Sequence, residues 1–383
     1  MIYADNSATT FPKPQSVYKE VSRAVNIYGG NPGRSGHAMS LRSAEEIYRC
    51  RETVAEFFHV ADNEKIIFTS GCTQSLNTVI KGYLRQGDHV VISDLEHNSV
   101  SRTVHEMSKN GITYTVAQTV HGDFEKTIDN FRKAINDKTK LVIVTHVSNV
   151  TGTVLPLSRI VALAHQYRIK VLADIAQSGG VIPLDFTDMN IDFVACAGHK
   201  GLFGLMGTGI LYLKNAEDVS PLLYGGTGSS SLELTQPEIL PDKFESGTCN
   251  MVGISALRKG IEFLNARGVE NIHKQEFALL EELYDNLAKL PDIRLYTPQP
   301  DIRFQAPLLS FNIGDIPSEE IAQILNDRYQ IYVRSGLHCA TLTHQKLHTE
   351  NQGTVRISLS CFNNRPQIQT IVRAVKNISK EYF

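Results

Sequence analysis

From residue 66 onward, unbroken apolar runs alternate with amphipathic stretches. "IIFTS" leads into "TQSLNTVIKGYLR", "HVVISD" into "SVSRTVHEM", and "KLVIVTHVSN" into "LSRIVALAHQY". "KVLADIAQ", "DFVACAGHK" and "GTGILYL" carry the series on to residue 213. Runs that are apolar throughout, rather than at every second residue, suit strands covered by helices on both faces. The alternation therefore predicts an α/β layered domain around a largely parallel sheet. After about residue 255 the texture changes. Two long helical stretches, "SALRKGIEFLNARG" and "KQEFALLEELYDNLAKL", precede the strand-like "PLLSFNI", "IYVRSG" and "TVRISLS" and a last helix from about Pro366. This predicts a large domain over 13–255 and a smaller α+β domain built from 1–12 and 256–383. Residues 224–250, rich in Gly, Ser and Pro, read as a long loop, and loops of that length are often functional.

Composition excludes several function classes. Of 383 residues, 42% are hydrophobic and 20% charged, and the net charge is −2, so nothing favours nucleic acid or an anionic membrane as partner. No apolar run approaches the roughly 20 residues needed to cross a bilayer. "MIYADNSATT" has no basic region followed by an apolar stretch, so no secretory leader is expected. Cys50, Cys72, Cys196, Cys249, Cys339 and Cys361 are scattered, which points to free thiols and a cytoplasmic protein.

In open α/β sheets ligands bind at the carboxyl ends of the strands. Five predicted strands end in chemically capable residues. These are Ser70-Gly71-Cys72-Thr73, then Asp94 to Asn98 with His97, then Ser148 and Asn149, then Asp174 to Gln177, then Gly198-His199-Lys200. Each has a plain structural reading: Asp174 or Thr73 as a helix cap, Asn149 as a turn former, His97 as a buried histidine. Their coincidence at one edge favours a site. A helix start at Ser70 to Thr73 suits an anion, although neither a GxxxxGK[ST] loop nor a dinucleotide fingerprint is present. A lysine closing a core strand, an aspartate and an anion cradle together suit pyridoxal phosphate. That cofactor needs an imine-forming amine, an acid at its pyridine nitrogen and a phosphate site.

"DIAQ", "AGHKG" and "RSGLHCA", in order with "YADNSATT", "EHNS", "SNVTGT", "FESGT" and "VRISLS", resemble the class V, fold-type I pyridoxal-phosphate enzymes over essentially the whole chain. Within them the chain is similar to the cysteine desulfurases, in the branch with an RxGxHCA loop that includes selenocysteine lyases. The resemblance implies Lys200 as the Schiff-base lysine, Asp174 at the pyridine nitrogen, Gln177 at the phenolic oxygen and His97 stacked on the ring. It implies Thr73 and His199 at the phosphate, with Cys72 in the same loop and Thr248 supplied by a second subunit of a homodimer. Asn149 and Arg356 match the pair that holds the substrate carboxylate, and His37 matches an active-site histidine. Cys339 matches the nucleophile that takes sulfur from L-cysteine as a persulfide and hands it to an acceptor, leaving L-alanine. Arg334 and His338 lie beside it in sequence, and positive neighbours favour thiolate.

Three positions depart from the family pattern: Ala197 where a serine often binds phosphate, Cys72 where a threonine stands, and Leu337 where histidine stands. Cys339, His344 and His348 have a C-x4-H-x3-H spacing without a second ligand pair, so no metal site is expected. The alternatives are a class V aminotransferase, a selenocysteine lyase or other lyase that does not need Cys339, and a non-enzymatic binding protein.

Overall fold

The computed structural model describes residues 1–33 and 36–383. In chain order its elements are β1 (Ile2–Tyr3), α1 (Gln15–Ile27), α2 (Ala38–Phe57), β2 (Ile66–Thr69), α3 (Cys72–Tyr83), β3 (His89–Ser93), α4 (Asn98–Ser108), β4 (Thr113–Ala117), α5 (Phe124–Ala134), β5 (Thr139–Thr145), α6 (Leu157–Gln166), β6 (Lys170–Asp174), β7 (Phe193–Ala197) and β8 (Gly209–Leu213). Then follow α7 (Met251–Arg267), α8 (Val269–Leu287), β9 (Ile293–Leu295), β10 (Leu308–Ile313), α9 (Ser318–Tyr329), β11 (Ile331–Tyr332), α10 (Thr341–Leu347), β12 (Val355–Ser358) and α11 (Arg365–Tyr382).

Seven strands form one sheet in the order β2-β8-β7-β6-β5-β3-β4. β8 runs antiparallel to both neighbours and every other pair is parallel. The α/β expectation therefore holds, and its physical reason is visible along single strands. In β6, Val171 and Ala173 enter one core, shared with α2, α6 and α7. Leu172 between them enters the opposite core, shared with α3 and α4. Both faces are dry, so both need apolar residues.

β9, β10 and β12 make a small antiparallel sheet, and the chain's first strand pairs with β11 beside it. Ile2 and Ala4 pack in the same core as α8, α9 and α11. The boundary expected at 255/256 falls inside α7, whose Leu257, Ile261 and Leu264 belong to the large sheet's core. The expected strand "IYVRSG" is a strand only at Ile331 and Tyr332, followed by a single antiparallel bridge from Arg334 to Arg356 before Gly336, at φ +90°. Residues 224–250 hold no helix or strand.

Glu276 on α8 is buried between the two units, with Oε2 unpartnered. Burial pushes its carboxyl up to about 8. At low pH both native and unfolded chains are protonated and no penalty exists. As pH rises from the ordinary carboxylate range toward about 8, the unfolded chain releases the proton and the native chain does not, so stability falls. The full effect is at most roughly 5 kcal/mol. Glu276→Gln should therefore show a melting-temperature advantage over wild type that grows between about pH 5 and pH 8. An offset that stays constant across that range would contradict the burial of an acid here.

Candidate active site

β2, β3, β5, β6 and β7 all end at one edge of the sheet, around a cavity of about 340 Å³. A volume of that order suits a small cofactor. β6 delivers Asp174, buried, its Oδ1 accepting the Ala176 N–H at 2.9 Å and facing Cys72 Sγ at 3.4 Å. β7 ends at Ala197 and opens into a turn that carries His199 and Lys200. That turn is compact: Gly204 N–H bonds the Gly198 carbonyl and Phe203 N–H the Lys200 carbonyl. A Cβ on Gly201 would meet the Gly179 carbonyl oxygen at 2.4 Å, so close packing requires glycine there.

The N-terminal segment braces this turn. The His199 carbonyl accepts from Thr9 Oγ1, Thr10 Oγ1 and Lys13 Nζ at 3.1, 3.2 and 2.7 Å. Sequence reasoning missed Lys13, whose partner lies 186 residues away. Burial pulls its ammonium down to about 7. Burial also lowers the Lys200 ammonium, against the opposing pull of Asp174. The Lys200 amine thus sheds its proton more readily than an exposed lysine does, as a nucleophile or base must.

The other walls complete the set. α3 begins at Cys72 with no side-chain cap, leaving its first amides aimed at the cavity. Burial, reinforced by Asp174, pushes the Cys72 thiol up, so it stays neutral. Thr73 Oγ1 meets Ser99 Oγ at 2.8 Å, joining α3 to α4 at the rim. Ser99 was not singled out from the sequence, yet it places a hydroxyl in a cavity where Ala197 has none. His97 caps α4, its Nδ1 accepting the Ser99 N–H at 3.1 Å, and burial lowers its pKa. Behind it lies Glu96, fully buried and pushed up to about 8 by burial, which accepts the Thr145 N–H at 2.8 Å. Gln177 lines the cavity and donates to the Ser7 carbonyl at 3.1 Å. His199 has a buried, unpartnered Nδ1, and burial drops its pKa to about 4.

Asn149 and Arg356 meet through the backbone: Arg356 Nη1 donates to the Asn149 carbonyl at 2.8 Å and Nη2 to Asp5 Oδ1 at 2.9 Å. Arg356 Nε and Asn149 Oδ1 are buried without partners. Cys339 is exposed, with Arg334 Nη2 3.7 Å from its Sγ.

Across its whole length the chain resembles known proteins. The family model for class-V aminotransferases matches residues 2–371. The chain belongs to the class-V aminotransferase family. A probable cysteine desulfurase of Methanothermobacter thermautotrophicus is 33% identical over 99% of this chain and 94% of its own. A cysteine desulfurase of Haloferax volcanii is 31% identical over 100% and 90%. Among solved structures, the apo cysteine desulfurase of Thermococcus onnurineus NA1 superposes with TM-score 0.92 at 30% identity, covering 99% of this chain and 95% of that one.

Of the site residues singled out from the sequence, His37, Thr248, Arg356 and Cys339 do not line the Lys200 cavity of this class-V chain. His37 is exposed and caps α2, its Nδ1 accepting the Ser40 N–H at 3.2 Å. Thr248 borders a neighbouring cavity of about 240 Å³ that it shares with Ser70 and Gln74, on the other side of the α3 start. His344 is buried and bonded to Thr349 at 2.7 Å. Among the described residues no three His, Cys, Asp or Glu side chains gather as metal ligands. The donor set around Lys200 does fit pyridoxal phosphate. It offers an amine, a buried carboxylate, an uncapped helix start flanked by hydroxyls, and an orphaned imidazole nitrogen.

Proposed function

We propose that this chain is a pyridoxal-phosphate-dependent cysteine desulfurase in which Cys339 receives the sulfur. The observation that carries the reading is an exposed thiol beside a guanidinium, on a loop bonded to the strand-end residues that wall the Lys200 cavity. Relatives along the full chain named cysteine desulfurase support it.

Asp174 would keep the cofactor's pyridine nitrogen protonated, and His97 would wall the site of its ring. Thr73, Ser99, His199 and the α3 amides would hold the phosphate, and Gln177 would serve the phenolic oxygen. When bound, the cofactor supplies an electron sink for negative charge at the substrate α-carbon. Asn149 and Arg356 orient the substrate carboxylate, for which a guanidinium fork is suited. Lys200 Nζ takes the α-proton and later returns a proton to the carbon skeleton. The Cys339 thiolate attacks the substrate sulfur, forming the S–S bond as the Cβ–S bond breaks. L-cysteine and the Cys339 thiol thus become L-alanine and a Cys339 persulfide, with atoms and electrons balanced. An acceptor thiol or protein takes the sulfur and restores the thiol. Six free cysteines fit a reducing, cytoplasmic setting. Incubation with L-cysteine should release alanine and add one sulfur mass to the Cys339 peptide. An amino-group acceptor requirement instead would make the chain an aminotransferase.

The working unit we propose is a homodimer. Leu232 and Leu234 are fully exposed and Tyr224 and Ile239 largely so, all in the segment that carries Thr248. Single exposed leucines are ordinary, but this grouping marks a surface to be covered. Light scattering should give twice the chain mass. Leu232→Asp with Leu234→Asp should lower that mass and cut activity at least ~10-fold, a loss of one or more supporting contacts. A fully active monomer would overturn it.

A further inference from the structure

Cys339 and the residue before it, His338, both sit in the left-handed region, at φ +56° and +48°. Non-glycine residues adopt that conformation at a cost and keep it only where the surroundings enforce it. Here the enforcement comes from the large sheet's edge. The Cys339 carbonyl accepts the Asn98 backbone N–H at 2.7 Å. Asn98 Oδ1 in turn accepts from Thr341 N and Thr341 Oγ1 at 3.3 and 3.1 Å. Asn149 Nδ2 donates to the His338 carbonyl at 2.6 Å, and His338 Nε2 is 3.0 Å from both the Thr354 carbonyl and its hydroxyl.

Asn98 holds the chain at the Cys339 carbonyl and again at Thr341, two residues beyond the thiol. It is also the first residue of α4, directly after His97, whose ring lines the cavity. A first-turn helix N–H has no partner within its own helix, and here it is used to fix the Cys339 carbonyl. We propose that Asn98 is a positioning residue that registers Cys339 against the Lys200 cavity, coupling the thiol's location to that of His97. This rests on the reading of Cys339 as sulfur acceptor. The registration has a catalytic consequence because a displacement of about 1 Å in a reacting group costs on the order of 100-fold in rate.

The backbone permits a clean deletion of the donor. Proline is tolerated at the first helical position, and the preceding residue, His97, already has φ −65° and ψ 153°, values suited to precede proline. Asn98→Ala removes the side-chain bonds to Thr341 and keeps the N–H. Asn98→Pro removes both. Holoenzyme alanine release from L-cysteine should fall ~10-fold in kcat for Asn98→Ala and ~100-fold for Asn98→Pro, with KM and the cofactor's visible absorbance retained.

Amide exchange in the peptide spanning 338–343 should speed up in both variants and not elsewhere. Introduced into a Cys339→Ala background, Asn98→Pro should cost nothing further, because its effect passes through the thiol. An unchanged kcat, or an equal loss with and without Cys339, overturns the proposal. If Asn98→Pro loses its cofactor absorbance, Asn98→Ala decides, and a wild-type kcat there overturns it. If Cys339→Ala alone releases alanine at the wild-type rate, the sulfur-acceptor reading fails. The exchange of 338–343 then still decides whether Asn98 holds the loop.

Discussion

Lys200→Ala should abolish turnover, lowering alanine release from L-cysteine by at least ~10⁴-fold. The physical ground is that no other amine occupies the cavity: its described walls offer Lys200 alone among lysines. The substitution should not damage the fold. Lys200 Nζ makes no hydrogen bond among the described residues, and burial lowers its pKa, so the native state gains little from its charge. The variant's melting temperature should equal or exceed that of wild type. Borohydride reduction of the cofactor-loaded wild type, followed by peptide mapping, should attach the cofactor to the peptide containing Lys200, and the variant should carry no such label. A label on Lys13, the other lysine of this region whose pKa burial lowers, would move the covalent role to the N-terminal segment. That outcome is worth testing because Lys13 reaches the His199 carbonyl at 2.7 Å.

The legible parts of the fold are those where one residue sees two cores. β3, β5, β6 and β7 are buried on both faces, so their apolar runs are unbroken and stand out. β4, "TYTVA", is the sheet's outer strand and exposes its first three residues, so its pattern resembles a loop's. α1 and α2 precede the alternation that begins at residue 66, and they find their partner in α7, some two hundred residues later.

The site divides in the same way. Asp174, Asn149, His199 and Lys200 could be picked out because strand ends are where open sheets bind. Glu96 and Asn98 lie in the same strand-end run without a role of their own, and Ser99 and Lys13 could not be picked out. A serine at the second position of a helix, or a lysine between two prolines, has no local signature, and each acts through a contact set by tertiary packing. His37 and Thr248 were picked out on resemblance alone, and within one chain they face other surroundings.

Cys339→Ala should separate cofactor binding from sulfur transfer. Every residue proposed to hold the cofactor lies on the large sheet's edge, and Cys339 does not line that cavity. The visible absorbance and the melting temperature should therefore match wild type. Relief of a strained left-handed cysteine is not expected, since alanine meets the same steric conflict at φ +56°. Alanine release from L-cysteine should fall about 100-fold or more, because carbon–sulfur cleavage then waits for a solvent nucleophile in place of a held thiolate. Selenocysteine should lose less, since the carbon–selenium bond is weaker and selenide departs more easily. The two substrates assayed side by side give a ratio that a general loss of structure cannot mimic. Equal losses on both would show that Cys339 supports the site's shape. Wild-type rates on cysteine would show that sulfur leaves without it, which would make the chain another kind of lyase. Arg334, with Nη2 3.7 Å from the thiol, gives a second arm. Arg334→Met should slow turnover of cysteine in the wild-type background and change nothing once Cys339 is gone, because a guanidinium that serves a thiolate has no work without one.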